Sequence, residues 1–345
     1  MLPIGVCAYA IPYSIGFMGR DTPRAMPQPL SGYDLLDLAQ KLDLGGVEIP
    51  LELGAPDPAV SVLPAAATLD AFAAAVADRG LTLTVDTLPL TDEELPQHLR
   101  LAARLGVRVV RTMLSWVLCG DRAPVGGYAG WRQLLDARIA TLRAIAPLAE
   151  DLDIRIGVEN HQDATSDELV ELCQAVGSTH VGITLDTGNP LAVGEDPVAF
   201  ARKILPHLVH VHLKDYRVAR SAAGLRLFHC AIGAGVVDFA GLFELFRTKP
   251  AHGGQPIAMN LEMAMLGERH IRLLDDAYWA GFGPRDIAHV LPVLRLRDAA
   301  PPLESVETDW LTPWDLGEDD RVSAWELERL AQSAANMRQL VKAAG

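Results

Sequence analysis

Short apolar runs alternate along this chain with longer stretches whose apolar residues recur at helical spacing. The short runs, such as VRVVRTML and LVHVHLKD, show no long alternation of polar and apolar positions, which is typical of strands covered on both faces. The predicted strands are Ile4–Ala10, Gly46–Leu51, Leu81–Thr87, Val107–Leu114, Ile154–Asn160, Val181–Asn189, Leu208–Asp215 and Pro256–Ala264.

The stretches between these runs are amphipathic and predict helices. Two of them begin at polar residues of the kind that cap helices, Asp92 and Ser166, each followed by acidic residues. The predicted helices are Tyr33–Leu44, Leu69–Arg79, Glu93–Leu105, Trp131–Glu150, Ser166–Val176, Pro197–Leu205, Phe239–Phe246, Asp286–Leu296 and a terminal helix Trp325–Ala344.

Eight strands with intervening helices predict a parallel sheet with right-handed crossovers. The predicted fold class is α/β, a (β/α)8 TIM barrel with a C-terminal extension. An open doubly wound sheet is the alternative, because a strand count does not establish closure. We place the barrel at residues 1–298 and the acidic, Pro- and Trp-containing extension at 299–345. The extension is too small for a stable core of its own, so we expect it to pack on the barrel or on a partner subunit.

Composition narrows the class of protein. Half of the 345 residues are hydrophobic and the formal net charge is −14, which fits a globular chain and argues against nucleic-acid binding. The four cysteines form no CxxC pair, and the N-terminus lacks the basic region of a signal peptide. No run of 18 uncharged apolar residues indicates a membrane span. We therefore expect a cytoplasmic protein with reduced thiols and no membrane partner.

The candidate chemistry lies at the carboxyl ends of the last four predicted strands, and these ends open on one face of a parallel barrel. The polar residues there are Glu159, His161, Asp186, His210, His212, Lys214, Asp215 and Glu262. Three carboxylates and an imidazole at one barrel mouth would repel each other without a cation. Two Glu, one Asp and one His form a mostly oxygen site for one divalent ion, for which Mn²⁺ is the first choice and Mg²⁺, Co²⁺ and Zn²⁺ are alternatives.

The motifs GVEN, LDTGN, HVHLKD and NLEMA together resemble the xylose isomerase-like TIM barrels, a family of sugar isomerases, ketose 3-epimerases, inosose dehydratases and relatives of apurinic endonucleases. The resemblance covers roughly residues 4–264. It implies that Glu159, Asp186, His212 and Glu262 hold the metal, and that Glu159 and Glu262 also transfer protons. The chain departs from the family pattern in the Thr-Gly-Asn after Asp186, in a long loop predicted at Tyr216–Val237, and in the extension.

Several further residues are candidates for substrate contact. His161 is a catalytic acid/base or a hydrogen-bonding neighbour of the ligands, and Lys214 binds a substrate oxygen or forms a structural ion pair. Trp116 is a candidate wall for a sugar face, and His229 and Arg226 reach from the long loop. Three aromatic residues after the first strand are predicted to line the same opening: Tyr9, Tyr13 and Phe17. Gly233-Ala234-Gly235 is either a plain turn or a phosphate cradle, and His210 is predicted to be a packed, hydrogen-bonded histidine.

These features predict a divalent-metal-dependent sugar isomerase or epimerase that acts on a ketose or oxo-sugar through an enediolate, with proton transfer by Glu159 and Glu262. The alternative is a metal-dependent lyase on an oxo-sugar with His161 as acid/base: a C-glycoside deglycosidase catalytic subunit, an oxo-sugar-acid decarboxylase or a dehydratase. The acidic charge disfavours a DNA-repair nuclease, and a non-catalytic sugar-binding barrel is a further alternative. Expected partners are a small sugar-derived substrate and either a homo-oligomer or a small partner subunit that contacts Trp310, Trp314 or Trp325.

Overall fold

Eight parallel strands close into a barrel, as predicted. The computed structural model describes residues 4–54, 64–87, 93–249, 257–264 and 267–343. The strands are β1 (Ile4–Cys7), β2 (Gly46–Pro50), β3 (Thr82–Asp86), β4 (Val109–Met113), β5 (Arg155–Glu159), β6 (Val181–Asp186), β7 (Leu208–Leu213), β8 (Tyr216–Ser221), β9 (Gly224–His229), β10 (Met259–Leu261) and β11 (Arg269–Ile271). Around the barrel the order is β1-β10-β7-β6-β5-β4-β3-β2, and β1 pairs with β2 to close it.

Helices cover the outside of the barrel. They are α1 (Gly32–Lys41), α2 (Ala66–Asp78), α3 (Leu95–Arg104), α4 (Gly127–Asp151), α5 (Ser166–Val176), α6 (Pro197–Ile204), α7 (Phe239–Arg247), α8 (Asp276–Trp279), α9 (Ile287–Ala299) and α10 (Asp319–Ala343). The cap of α5 is Thr165, not Ser166: its side chain accepts from the Glu168 N–H in a capping box. The other predicted cap, Asp92, lies outside the described residues.

The core lies between the strands and the helices. Because both faces of the barrel sheet are covered, every residue of β4, β6 and β7 is buried. Large side chains from the helices fill the space outside the barrel, among them Trp131, Phe72, Phe200 and Phe243. Two predicted strands were too long: Ala8–Ala10 and Asn189–Val193 are short 3-10 turns. Ala344 and Pro256, at the limits of two other predicted elements, lie outside the described residues.

The prediction of a long loop over Tyr216–Val237 was wrong for its first part. β8 and β9 form an antiparallel hairpin there, and β11 adds a third strand on the outer side of β9. The turn of the hairpin is Ala222-Ala223, which lacks the Asn-Gly or Asp-Gly signal of a two-residue hairpin. The eighth barrel strand is therefore β10, and the hairpin stands between the seventh and eighth strands.

The C-terminal extension packs against the barrel: α10 contacts α7 and β10, and the first part of this helix reaches the loop after β1. Glu326 on α10 accepts hydrogen bonds from the backbone N–H groups of Tyr13 (2.9 Å) and Ser14 (2.8 Å) and from the Ser14 hydroxyl (2.7 Å). Burial raises the pKa of Glu326 to about 7, although these hydrogen bonds act to lower it. Farther along α10, the Ser333 hydroxyl accepts from the Ile232 N–H at 2.9 Å. The extension thus holds two of the segments that border the barrel mouth.

Among the described residues, no helix combines the length and apolar character needed to cross a membrane. The four cysteines, Cys7, Cys119, Cys173 and Cys230, are all free thiols, in agreement with the sequence-based expectation.

Replacement of Glu326 by Ala tests the bracing role of the extension. Glu326→Ala leaves the Tyr13 and Ser14 N–H groups buried without acceptors, so we expect the free energy of unfolding to fall by about 2–4 kcal/mol. Chemical denaturation monitored by circular dichroism measures it. Glu328→Ala, at an exposed position of the same helix, is the matched control and should change stability little. An equal effect of both variants would contradict the bracing role.

Candidate active site

All four predicted metal ligands are buried at the carboxyl ends of neighbouring barrel strands. Glu159 ends β5 and Asp186 ends β6, while His212 lies in β7 and Glu262 follows β10. The registers align these ends, because Asp186 pairs with His212 and His212 pairs with Asn260. Residues from four consecutive strands therefore lie at the same face of the barrel.

Three of the four predicted ligands converge. Donor atoms of Glu159, His212 and Glu262 all lie within 4.8 Å of one another. Nδ1 of His212 is 3.7 Å from Oε2 of Glu159 and contacts Oε2 of Glu262 directly. The fourth, Asp186, is joined to the cluster through Lys214, whose Nζ contacts Oδ2 of Asp186 and lies 3.0 Å from Oε1 of Glu262.

A buried carboxylate that the sequence analysis missed orients the histidines. Oε1 of Glu48, on β2, lies 2.9 Å from Nε2 of His212, and its Oε2 lies 2.7 Å from Nε2 of His210. Asn260 also donates to Glu48 at 2.6 Å. Because Nε2 of His212 faces Glu48, its Nδ1 faces Glu159 and Glu262, as in a carboxylate–histidine–metal arrangement. His210 is the packed, hydrogen-bonded histidine that the sequence indicated.

The second residue that sequence reasoning missed is Arg111 on β4. Its Nη1 is 2.7 Å from Oδ1 of Asp86, and the guanidinium also contacts Oε2 of Glu159. The sequence did contain a signal for this residue, because the charged Arg111 stands in the apolar run VRVVRTML. A charged residue within a strand covered on both faces requires a buried partner.

Buried carboxylates outnumber buried cations in this region. The five carboxylates are Glu48, Asp86, Glu159, Asp186 and Glu262, and the two permanent cations are Arg111 and Lys214. Burial raises the pKa of Asp186 to about 7 although Lys214 opposes the shift. Burial likewise raises the pKa of Asp86 to about 7 despite Arg111. Two monovalent cations thus leave the cluster short of positive charge.

These residues fit a divalent cation on two observations. Oε1 of Glu159 is buried and has no hydrogen-bond partner within the described residues. Nδ1 of His212 approaches a carboxylate oxygen so closely that a proton or a cation must compensate the contact. A mostly oxygen donor set with one imidazole suits the hard to borderline divalent metals.

A cavity of about 380 Å³ borders this cluster. The side chains of His161, Trp116, Lys214 and His229 line it, together with the predicted metal ligand Glu262. Burial lowers the pKa of His161 to about 4, so its imidazole is neutral near pH 7. The Trp116 ring, 65% exposed, stands edge-on to the His161 ring at 6.3 Å. The cavity therefore has a neutral imidazole and an exposed aromatic face beside the carboxylates.

Arg226 does not line the cavity, in contrast to His229 on the same strand. The two residues are three positions apart on β9, and successive strand residues face opposite sides of a sheet. Arg226 forms an ion pair with Glu268 on the outer face. On the inner face, Tyr216 pairs with His229 across the hairpin, and both line the cavity.

The backbone N–H groups of the Gly233-Ala234-Gly235 segment are bound by a side chain of the protein itself. The Asp215 carboxylate accepts from the N–H groups of Gly233 (3.0 Å), Gly235 (2.8 Å), Val237 (3.0 Å) and Tyr216 (2.9 Å). These donors are therefore not available to a phosphate, and the plain turn is the correct interpretation. Asp215 anchors the base of the hairpin that forms one cavity wall.

Two of the three aromatic residues predicted to follow the first strand into the opening line the cavity. Tyr9 and Phe17 do so, with their rings 4.8 Å apart. Tyr13 instead faces the C-terminal extension, where its ring lies 6.0 Å from that of Trp314. The loop after β1 thus has one side on the cavity and the other on the extension.

Comparisons with known proteins agree with this architecture. The family model of the xylose isomerase-like TIM barrel matches residues 36–254, more than half of the chain. A 3-oxo-isoapionate decarboxylase from Pectobacterium atrosepticum is 27% identical over 200 residues, which cover 57% of this chain and 68% of the decarboxylase. An inosose dehydratase from Bacillus thuringiensis is 29% identical over 146 residues, which cover 39% of this chain and 48% of the dehydratase. This chain thus matches about half of the dehydratase, and both relatives are enzymes.

Solved structures with the same fold include two epimerases. A D-psicose 3-epimerase superposes with a TM-score of 0.54 at 17% identity, covering 86% of this chain and 98% of the epimerase. A 3-keto-D-glucoside 4-epimerase from E. coli gives a TM-score of 0.54 at 14% identity, covering 81% of this chain and 99% of its own. At these identities the likeness shows the fold alone. With its closed eight-stranded barrel and the family match over residues 36–254, this chain belongs to the xylose isomerase-like TIM barrel family.

Proposed function

We propose that this protein is a divalent-metal-dependent enzyme that removes a proton beside the oxo group of a ketose or oxo-sugar and returns it as an isomerase or epimerase. The observation that carries the proposal is the convergence of Glu159, His212 and Glu262 at the edge of a buried cavity. The similarity to a 3-oxo-isoapionate decarboxylase, a D-psicose 3-epimerase and a 3-keto-D-glucoside 4-epimerase supports this substrate class.

The proposed metal ligands are Glu159, Asp186, His212 and Glu262. When bound, a divalent ion supplies Lewis-acid stabilisation of the negative charge on the enediolate oxygens. Mn²⁺ is the proposed ion, with Mg²⁺, Co²⁺ and Zn²⁺ as the alternatives. Glu48 would hold the His212 ring in the orientation that directs Nδ1 to the ion, because its own oxygen takes Nε2.

The proposed proton carriers are Glu262 and Glu159, which come from strands on either side of β7 and β6. Glu262 lines the cavity, and its Oε1 lies 3.0 Å from the Lys214 ammonium, which keeps the carboxylate oriented. Arg111 holds Glu159 from the opposite side. Return of the proton to the opposite face of the same carbon gives an epimer, and return to the neighbouring carbon gives an isomer.

The cavity walls would bind and shield the sugar. Trp116 offers an exposed aromatic face to the apolar side of a sugar ring, while His161 and His229 offer neutral imidazoles to its hydroxyl groups. Lys214, whose Nζ lies 3.0 Å from Oε1 of Glu262, would bind a substrate oxygen. Arg226 is not proposed as a substrate contact, because it pairs with Glu268 on the outer face of the hairpin.

A lyase on an oxo-sugar is the second candidate, and the decarboxylase and dehydratase relatives favour it. The same enediolate can follow loss of CO₂ or expel a β-substituent, as a dehydratase or a C-glycoside deglycosidase catalytic subunit would do. His161 would then act as acid/base for the leaving group. Its Nδ1 is buried without a hydrogen-bond partner among the described residues, and the side chain faces the cavity.

Solvent exchange tests the proton transfer. In deuterated buffer with Mn²⁺, we expect the wild type to introduce deuterium at one carbon of an accepted ketose or oxo-sugar, as measured by NMR. Glu262→Gln removes the proposed base and should lower the exchange rate by about 10²- to 10⁴-fold. Glu244→Gln, at an exposed position of α7, is the control and should keep the wild-type rate. Turnover of a sugar to its epimer without incorporation would exclude this mechanism.

Metal binding is tested by stability rather than by turnover. An ion that binds only the folded state at a hundred times its dissociation constant raises the free energy of unfolding by about 2.7 kcal/mol. We expect this gain with Mn²⁺ for the wild type and for Glu244→Gln, and a much smaller gain for Glu159→Gln. Denaturation curves with each of the four candidate ions measure it. If none of these ions stabilises the wild type, the metal site is refuted.

A further inference from the structure

The cavity wall formed by β8, β9 and β11 carries Arg269, a basic residue to which the proposed function assigns no role. Tyr216 pairs with His229, and Leu227 pairs with Arg269, across this antiparallel sheet. His229 and Leu227 are two positions apart on β9, so they share a face, and their cross-strand partners share it too. Arg269 therefore stands on the cavity side of the sheet, in agreement with its place in the cavity lining.

The charged side chains that line the cavity are mostly basic, although the buried carboxylates of the strand ends border it. The chain has 44 acidic and 30 basic residues. Among the described residues, the charged side chains that line the cavity are nevertheless four basic and one acidic: Arg20, Arg111, Lys214, Arg269 and Glu262. Arg111 and Lys214 are buried against the carboxylates of the strand ends. Arg20 and Arg269 come from other segments and are more exposed to solvent.

His229 adds no charge to this wall. Burial lowers the pKa of His229 well below its ordinary value, and the nearby charges of Arg269 and Lys214 lower it further. The imidazole is thus neutral near pH 7, and the positive charge of this wall belongs to Arg269. A neutral imidazole and the Tyr216 ring beside a guanidinium form a surface for a polar group that carries one negative charge.

We infer that the substrate of this cavity is a sugar acid and that Arg269 binds its carboxylate. This inference rests on the proposed function, since it places the substrate in the same cavity. A guanidinium offers two parallel N–H donors that match a carboxylate. A phosphate group fits less well, because the backbone N–H groups of Gly233 and Gly235 are already taken by Asp215.

Two matched polyols test the inference without requiring turnover. D-Gluconate and D-glucitol share a six-carbon hydroxylated chain and differ at C1, which is a carboxylate in one and a hydroxymethyl group in the other. Calorimetric titration of the full-length, Mn²⁺-loaded protein should show gluconate binding about 10- to 100-fold tighter than glucitol. Arg269→Gln should reduce this ratio to near one, and Arg269→Lys should retain part of it.

Arg272→Gln is the matched control, because Arg272 is exposed just beyond β11 and does not line the cavity. It loses the same charge and should keep the wild-type preference for gluconate. Increasing ionic strength should weaken gluconate binding to the wild type and leave glucitol binding nearly unchanged. This last comparison needs no variant and holds even if Arg269→Gln fails to fold.

Three results would overturn the inference. These are equal affinities of the wild type for gluconate and glucitol, a gluconate preference that survives in folded Arg269→Gln, and tighter binding of D-glucitol 6-phosphate than of gluconate. The proposed function can fail separately. If no oxo-sugar exchanges deuterium while the Arg269-dependent gluconate preference persists, the enediolate chemistry is refuted and the carboxylate site stands.

Discussion

Excess negative charge buried at one end of the barrel is the constraint on which the site depends. Five carboxylates from five strands meet there, and the two permanent cations among them, Arg111 and Lys214, compensate only part of their charge. A group of this kind is expensive to bury unless a further cation joins it. This deficit of positive charge is consistent with two observations: the pKa of Asp186 is raised, and Oε1 of Glu159 has no hydrogen-bond partner among the described residues. The unfavourable free energy of burying these charges falls at the position where a catalytic centre would use the charged groups.

The barrel strands and the segments added to the barrel contribute different parts of the site. Barrel strands carry the charged cluster, and Glu48 holds the histidines within it, so the geometry is fixed by close-packed elements. The hairpin, anchored by Asp215, and the loop after β1, anchored by Glu326, form the walls of the cavity. The charged cluster therefore depends on the barrel strands, whereas the cavity walls come from the hairpin and from the loop that the extension holds.

The sequence predicted the eight barrel strands and most of the helices because hydrophobic period and order determine those features, whereas closure of the barrel did not follow from the strand count. It also identified Glu159, Asp186, His212 and Glu262 as a group, since the carboxyl ends of parallel strands must open on one face. It did not reveal Glu48, which lies at a strand position with no motif around it. It missed the role of Arg111 although a charged residue in the apolar run VRVVRTML marks a buried ion pair. The hairpin escaped detection because its Ala-Ala turn lacks the usual turn residues.

The sequence by itself determined which residues stand at the strand ends and therefore which charges the barrel brings to one face. Only the tertiary structure decided which atoms meet: Lys214 stands between Asp186 and Glu262, Asp215 fills the glycine turn, and Arg226 and Arg269 lie on opposite faces of the hairpin sheet. The physical reason is that period and order act locally along the chain. Ion pairs and cross-strand register depend on side chains from segments distant in sequence, whose approach is set by the packing of the whole barrel.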